Sequence, residues 1–331
     1  MRRIGQLTFI LFLAAALPFG ASAKEKIKYL FAWDDRHPAT PVMGHDFAKR
    51  ITKASNGEIT FSFSGPEVIR SRQQFQPMSQ GVFDMNFSTP AYHMGTTAVL
   101  FAYYALPAQP AKIRSSGLWD YADKDLSRFN QKLISIPISG TECNQFQFLI
   151  KRPFDNKTEF KGMKIRANAF YKHIVEPLGG AMVNLDSSEI YAALQRGVVD
   201  GVAWPVVGMV NFKWYEVAKY RVKPRFGCAV YSVTMNLKRF NKLSKTHQGV
   251  ILDQGQKMEI WVAKRFDKMN DDENAQLAKF GVKETTIDKK RFDALIRSRN
   301  KGLWDLAQSF KGSTKHVKGA RAIARKAGLA D

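Results

Sequence analysis

Apolar and polar residues alternate along one short stretch in the N-terminal half of the chain. In "NGEITFSF" the alternation places Ile59, Phe61 and Phe63 on one face, which is the period of a half-buried β-strand. The turn "SGPE", a helical stretch "SRQQFQPMSQ" and the segment "GVFDMNFSTP" follow. This order predicts a strand–helix–strand unit.

A similar order of elements occurs in the C-terminal half. "GGAMVNL" predicts a strand and "DSSE" a turn, and "EIYAALQR" and "GVVDGVAWP" follow them. Ile190 and Leu194 form the inner stripe of the predicted helix, and Gly197 suits a left-handed C-terminal cap. The second half therefore predicts the same kind of unit as the first.

The two units share a short signature, "GVFD" at 81–84 and "GVVD" at 197–200. A match this short can be coincidental, but similar flanking elements at both places favour a true internal repeat. Strand–helix–strand units build parallel sheets covered by helices. The predicted fold class is α/β, with two domains.

A long helical run at 248–281 is suited to crossing between these domains, and apolar segments around 140–150 and 224–237 would connect them. Cys143 and Cys228 lie in the two connecting segments and would be close if the segments run side by side. They form a disulfide or remain buried thiols, and the sequence leaves both open. We assign 24–143 plus about 232–270 to lobe I, and 144–231 plus about 271–331 to lobe II.

Residues 1–23 have the composition of a Sec-type signal peptide. "MRR" is basic, "LTFILFLAAALPFG" is apolar, and "ASA" before Lys24 is a small-residue cleavage site. The alternative is an uncleaved anchor, but the apolar run is short for a membrane span and charges follow at once. We expect an exported, periplasmic protein.

The formal net charge is +22 at pH 7. Lys and Arg are spread along the chain, with mild enrichment after residue 310, and no nucleic-acid motif is present. The charge therefore favours anionic solutes or a partner surface, and we expect no binding of nucleic acid.

Motifs typical of catalysis are also missing from the sequence. It contains no G-x-S-x-G elbow, no H-E-x-x-H and no glycine-rich phosphate loop. His37 and His93 fall in predicted cleft loops, where each fits a hydrogen-bonding wall residue better than a general base. These observations favour a binding protein over an enzyme.

Arg166 follows the apolar run "GMKI" and would end a buried strand. Ligands of open α/β sheets lie beyond the carboxyl ends of the strands. A guanidinium there is stabilised by a bound carboxylate, because its planar fork donates to two oxygens at once. The alternative is a structural ion pair with an Asp or Glu of the chain.

Six short motifs, each weak alone, are specific in their order and spacing. They are "GPE" at 65–67, "QGVFDM" at 80–85, "RPF" at 152–154, "FKGMKIR" at 160–166, "EIYAALQRGVVDG" at 189–201 and "EVAKY" at 216–220. Together they resemble the DctP-type solute-binding proteins of tripartite ATP-independent periplasmic (TRAP) transporters, over essentially the whole chain after residue 23.

The resemblance implies a bilobal periplasmic-binding-protein fold, with two α/β lobes joined by hinge strands and a long domain-spanning helix. It implies closure around one small organic acid, whose carboxylate forms a bidentate salt bridge with the arginine of the "KIR" motif, here Arg166. It also implies delivery of the acid to a TRAP membrane permease, no enzymatic activity and a monomeric state.

The chain departs from two branches of the family. Sialic-acid binders have a second arginine on the strand before "RP", absent from "CNQFQFLIKRP", and an asparagine near Trp204. A keto-acid branch is similar at Gln145 and Trp204 but has a metal-holding glutamate where this chain has Ala203. That difference puts a bound cation in doubt, and we expect no metal or other cofactor.

The implied pocket combines one arginine with amide, hydroxyl and aromatic groups, which favours a monocarboxylate with an apolar or hydroxylated body. Trp33 and Phe170 are equally explained as core residues, and Glu67 contacts the ligand or caps the next helix. The predicted site residues are Arg166, Gln145, Trp204, Asn168, Phe170, Trp33, Glu67 and Tyr92.

Two alternatives come from other functional classes. A binding protein that presents its solute to a signalling ectodomain would have the same pattern. A periplasmic enzyme acting on a carboxylate would need a nucleophile or metal motif, and the sequence has none.

Overall fold

The computed structural model describes residues 24–330 of the 331-residue chain. The predicted signal peptide, residues 1–23, lies outside the described residues. Across 24–330, no helix combines the length and the apolar character that a membrane span requires.

The strands and helices of residues 24–330 alternate along most of the chain. The strands are β1 (Glu25–Phe31), β2 (Ile59–Ser64), β3 (Met85–Ser88), β4 (Gln131–Ser135), β5 (Ile138–Ser139), β6 (Phe146–Ile150), β7 (Lys164–Arg166), β8 (Ala181–Val183), β9 (Gly201–Pro205), β10 (Tyr220–Phe226), β11 (Ala229–Val230), β12 (Ser232–Asn236) and β13 (Lys283–Thr286). The α-helices are α1 (Phe47–Ala54), α2 (Phe75–Gln80), α3 (Val99–Ala102), α4 (Pro110–Ser115), α5 (Leu118–Ser127), α6 (Lys172–Val175), α7 (Ile190–Gln195), α8 (Leu237–Lys242), α9 (Lys245–Lys279), α10 (Lys289–Ser309) and α11 (Thr314–Lys326).

The strands form two main sheets with matching topology. The first has the order β2-β1-β3-β12-β4, in which β1 is parallel to β2 and β3 while β12 is antiparallel to β3 and β4. The second has the order β13-β10-β6-β9-β7-β8. Its run β8-β7-β9-β6-β10 repeats the first sheet, with β7 parallel to β8 and β9 and with β6 antiparallel to β9 and β10.

The aspartate of the repeated signature has the same role in both sheets. The Asp84 carboxylate accepts the backbone N–H of Lys28 at 2.8 Å, and the Asp200 carboxylate accepts that of Lys164 at 2.8 Å. Each aspartate thus ties the start of the strand after the helix to its parallel neighbour. The internal repeat predicted from the sequence is present, and the α/β fold class is confirmed.

The hinge is a narrow set of paired segments between the sheets. β5 and β11 form a two-stranded antiparallel sheet, and Asn144 makes a bridge with Gly227. Cys143 and Cys228 are joined by a disulfide, with their Cα atoms 4.2 Å apart. Of the two alternatives that the sequence left open, the structure has the disulfide.

Helix α9 spans both lobes, because its 35 residues extend about 52 Å at 1.5 Å per residue. Near its start Gly255 faces β4, where a Cβ would lie 2.3 Å from the carbonyl oxygen of Ile134. Near its end Leu277 packs in a separate apolar cluster with Leu149 and Val202 of the second sheet. Close backbone contact at one end and apolar burial at the other fix the helix to both sheets.

The last helix, α11, contacts elements from both ends of the chain. It packs on α10 and also on α3 and α5, which cover the first sheet. The His316 ring lies 3.4 Å from the Asp125 carboxylate, and a Cβ on Gly319 would overlap the Tyr121 hydroxyl. The close approach to α5 requires a small residue at Gly319, and the division into lobes, with about 271–331 in lobe II, stays a prediction.

Glu273 connects the far end of α9 to the loop that follows β9. Its side chain is 4% exposed, and its carboxylate accepts the backbone N–H of Val210 at 2.6 Å. Burial raises the pKa of Glu273 from 4.5 to about 7, although the backbone N–H groups of residues 208–210 oppose this rise. The folded protein therefore binds a proton here more tightly than the unfolded chain.

We predict that this carboxyl makes stability fall as pH rises. Its contribution is fully present below pH 4.5 and is lost through about pH 7, because only the unfolded state ionises it freely. Glu273→Gln keeps an acceptor and does not titrate. Urea unfolding at pH 5 and pH 8 should show wild type losing up to about 3 kcal/mol relative to Glu273→Gln. Parallel pH profiles for the two proteins would contradict the assignment.

Candidate functional site

A cavity of about 40 Å³ lies between the two lobes beside the hinge. Its walls come from the ends of β1 and β3 in lobe I and from the ends of β7 and β9 in lobe II. Six of the predicted site residues line it together: Trp33, Tyr92, Arg166, Asn168, Phe170 and Trp204. The structure thus brings together groups that are up to 171 positions apart in the sequence.

Arg166 is held in place by the chain itself. It ends β7 with a side chain that is 1% exposed, and its Nε and Nη2 donate to the carbonyl of Leu185 at 3.1 and 2.7 Å. The guanidinium carbon lies 4.6 Å from the Trp204 ring centroid. Burial lowers the pKa of Arg166 from its ordinary value. Within residues 24–330 no carboxylate lies at ion-pair distance from it, so the alternative of a structural ion pair is not observed.

Three buried donors of the cavity walls have no hydrogen-bond partner in the described chain. They are Nη1 of Arg166, the hydroxyl of Tyr231 and Nε1 of Trp204. A buried donor without a partner costs about 1–3 kcal/mol, and more when it is charged. Three such groups on one cavity mark a place where an acceptor from outside the chain would be stabilised.

The lobe I wall is a stack of aromatic rings. Nε1 of Trp33 donates to the Tyr92 hydroxyl at 3.0 Å, and the His37 ring stacks on Trp33 with centroids 4.5 Å apart. Nδ1 of His37 accepts the backbone N–H of Ala39, so Nε2 carries the proton. Burial lowers the pKa of His37 to about 3, which keeps the ring neutral. His37 is therefore a wall residue, as predicted, and a hydrogen-bond donor.

The lobe II wall is built on the turn that follows Arg166. Oδ1 of Asn168 accepts the backbone N–H of Phe170 at 3.1 Å and caps the turn Ala169–Tyr171. This leaves the Asn168 NH₂ group available to a ligand. The Phe170 ring packs 4.3 Å from Tyr104 and 4.6 Å from Phe146. Phe170 is thus both a cavity wall and a core residue.

Comparison with known proteins assigns a family to this chain. The model of the DctP family, described as bacterial extracellular solute-binding protein family 7, matches residues 32–305. The chain belongs to this family. As a member of this family it is a bacterial extracellular solute-binding protein, and this is the family that the order of its motifs resembles.

Three similar proteins illustrate the range of the family. A solute-binding protein of Albidiferax ferrireducens is 27% identical over 251 residues, 72% of each chain. A monocarboxylate 2-oxoacid-binding periplasmic protein of Nostoc is 23% identical over 248 residues, 71% of this chain and 67% of that one. A TRAP periplasmic solute-binding protein of Desulfovibrio salexigens, solved with bound orotic acid, matches with a TM-score of 0.78 at 20% identity, over 91% of this chain and 99% of that one. The structural match confirms the bilobal fold.

Two predicted site residues of this receptor do not reach the cavity. The Gln145 amide is buried at the hinge, where its NH₂ group donates to Asn144 and its oxygen accepts from Asn270 of α9. Gly140 lies directly against this amide, where a Cβ would overlap it. Glu67 is exposed, and its carboxylate accepts the backbone N–H of Gly65 at 2.6 Å within its own turn. Both side chains were predicted to contact the ligand, and in the structure both bind to groups of the chain itself.

The position expected to hold a metal-binding glutamate has no carboxylate. Ala203 pairs with Phe148 in the middle of the second sheet and is fully buried. The cavity walls formed by residues 24–330 include no Asp or Glu. The oxygen atoms around the cavity belong to hydroxyl groups, backbone carbonyls and the Asn168 amide, and a set without a carboxylate is a weak one for a divalent cation.

Sequence reasoning missed seven cavity residues, among them Pro205 and Ala229 at the hinge side of the walls. The hydroxyls of Tyr104 and Thr89 lie within hydrogen-bonding distance of each other and of the Val230 carbonyl in the hinge, so one hydroxyl donates to this carbonyl and the other donates to the first hydroxyl. Their position depends on the pairing of hinge segments distant in sequence, so no local pattern marks them. The other five are Thr89, Tyr104, Phe146, Tyr171 and Tyr231.

A polar contact closes the lobes over the cavity. Arg72 of lobe I donates to the side chains of Asn184 at 2.8 Å and Asp186 at 3.3 Å in lobe II. The Arg72 guanidinium also lies 4.9 Å from the centroid of the Tyr92 ring. This interlobe contact thus lies next to Tyr92, one of the cavity walls.

We predict that the Tyr231 hydroxyl destabilises the ligand-free receptor, because it is a buried donor without a partner in the described chain. Tyr231→Phe should therefore raise the free energy of unfolding by about 1–3 kcal/mol. Tyr103→Phe is the matched control, since the Tyr103 hydroxyl donates to the carbonyl of Leu118 at 2.6 Å. It should cost about 1–2 kcal/mol. Urea unfolding of protein refolded without ligand measures both, and equal losses would contradict the assignment.

Proposed function

We propose that the protein is an extracytoplasmic receptor that binds a small monocarboxylate between its lobes through Arg166 and delivers it to a TRAP-type permease. The observation that carries the proposal is the set of unpartnered buried donors on one cavity, above all Nη1 of Arg166. A receptor for organic acids is the coarser function that the family supports.

The geometry of Arg166 favours a carboxylate as the ligand group. Leu185 and Trp204 fix the guanidinium, so little side-chain entropy is lost when a ligand binds. Nη1 remains for a charged oxygen, and the Tyr231 hydroxyl lies on the same cavity. An anion offsets the buried positive charge, which a neutral solute does not.

The remaining walls favour a single charge on a small body. They are aromatic rings and neutral hydrogen-bonding groups, and Arg166 is the one cation among the cavity walls of residues 24–330. The Nostoc relative is named for monocarboxylate 2-oxoacids, and the Desulfovibrio protein holds orotic acid. The small cavity also favours a short acid over a sugar acid.

Binding requires the lobes to separate and close again. Trp33, Phe170 and Tyr231 are each at most 5% exposed, so a solute cannot reach the cavity in the closed arrangement. The hinge offers a place for rotation, and the contact of Arg72 with Asn184 and Asp186 would break on opening. A bound acid would shift the population towards the closed state.

The first test is a calorimetric screen of the refolded protein against 2-oxo, 2-hydroxy, straight-chain and aromatic acids. Arg166→Gln should weaken the acid that binds best by about 2–5 kcal/mol, at least about thirtyfold, because a buried charged partner is removed. Arg196→Gln, an exposed arginine in the same lobe, is the matched control and should bind as wild type does.

Three results would contradict this site. One is a flat screen against all acids, and another is equal affinity for Arg166→Gln and wild type. The third is a loss of affinity when metal ions are removed. We expect no cofactor, so the affinity for the acid should be the same in EDTA as in calcium, because the cavity walls lack a carboxylate to hold a cation. A strong loss of affinity in EDTA would show that a metal belongs to the site.

Delivery to a permease predicts a cellular phenotype. Deletion of the gene should abolish uptake of the acid found in the screen, and wild-type protein should restore it while Arg166→Gln should not. Unchanged uptake in the deletion strain would argue for presentation of the solute to another partner, such as a sensor ectodomain.

A further inference from the structure

A second and larger cavity, of about 770 Å³, lies between the hinge and helices α10 and α11. Its charged wall residues are all cations, and no Asp or Glu is among the wall residues that the structure describes. This volume is typical of a small-molecule site. The five cations are Arg225, Arg299, Lys301, Arg321 and Arg325.

Arg299 is the buried centre of this group. It is 2% exposed, and within residues 24–330 it forms no ion pair. Its Nη1 donates to the Asn300 side chain at 2.9 Å and its Nη2 to the carbonyl of Tyr104 at 3.4 Å, but Nε has no partner. Burial lowers the pKa of Arg299 to about 10. A charge buried with only neutral partners is destabilising unless an anion approaches it.

The hinge leaves room for this guanidinium. A Cβ on Gly227 would lie 2.8 Å from Nη2 of Arg299, so a larger residue there would displace the arginine. The side chain is thus held in place by the close approach of the hinge backbone. Holding an unpaired guanidinium in a buried position destabilises the protein, and a bound anion would offset this cost.

Two further guanidinium groups have unpartnered buried nitrogens at the same cavity. Nη1 of Arg225 has no partner in the described chain, and neither does Nε of Arg321. Arg321 uses Nη1 for Asp305 at 3.0 Å, which leaves its charge partly offset. Three arginines from β10, α10 and α11 therefore converge with donor capacity unused.

We infer that this basic cavity is a second ligand site, separate from the interlobe cavity, and that it binds an organic anion with at least two carboxylates. Several cations favour more than one negative group, and a guanidinium donates to two carboxylate oxygens at once. The rest of the wall is apolar, with Leu106, Phe292, Ile296 and Trp304, so a ligand with an apolar body fits better than inorganic phosphate.

The two cavities share a wall without being continuous. Tyr104 lines both, and the Arg299 guanidinium carbon lies 4.5 Å from the centroid of Phe170, a wall of the interlobe cavity. An anion that binds Arg299 would therefore affect the position of the Phe170 ring, which lines the interlobe cavity. The site is placed to influence closure of the lobes as well as to bind.

The probe for the test is phthalate, an aromatic dianion, titrated by calorimetry into full-length mature protein. Arg166→Gln should retain phthalate binding, because the interlobe site is not involved. Adding Arg225→Gln to that variant should weaken binding by about tenfold or more, since a charge-assisted hydrogen bond is lost. Arg297→Gln, an exposed arginine on α10 outside the cavity, is the matched control and should have no effect. Inorganic phosphate should bind more weakly than phthalate.

Two outcomes would overturn the inference. One is that phthalate does not bind to the Arg166→Gln variant. The other is that Arg225→Gln and Arg297→Gln weaken phthalate binding equally, which would indicate general charge attraction. If Arg225→Gln perturbs folding, Lys301→Gln, at an exposed position of the same wall, replaces it.

Discussion

The structure of the interlobe site depends on keeping one guanidinium out of water without a carboxylate of its own. Arg166 reaches this state through the Leu185 carbonyl and the face of Trp204, which come from the segments after β8 and in β9. Neutral partners hold the charge in position but do not neutralise it. The site is therefore ordered before the ligand arrives and is electrostatically incomplete without an anion.

The repeated unit explains why such a site can exist at this place. In both sheets the aspartate of the signature, Asp84 or Asp200, fixes the strand after the helix to its parallel neighbour. The carboxyl ends of these strands then face each other across the hinge, and the loops beyond them supply both walls. Duplication of one modest motif produces two rigid walls, and the short hinge segments provide the joint between them.

The sequence predicted what local patterns and family motifs determine. Alternation, the glycine before each signature aspartate and the "KIR" arginine led to the sheets, the lobes and most of the cavity. Gln145 and Glu67 are not among the cavity walls, because each side chain has a structural partner, Asn270 for Gln145 and the Gly65 backbone for Glu67. Tyr231 was missed because its place depends on hinge pairing, and the packing of α11 against α3 and α5 joins segments about 200 residues apart, which no local pattern shows.

The position of β12 has a consequence for how the chain is made and exported. This strand lies between β3 and β4, so the first sheet is incomplete until residue 236 is available to pair with both neighbours. Pairing between segments so far apart in sequence is slow to form, because a long loop must close first. Lobe I therefore cannot finish folding until residues 1–236 of the 331 have been synthesised. Delayed folding of this kind keeps a polypeptide in the extended form that passes through a secretion channel.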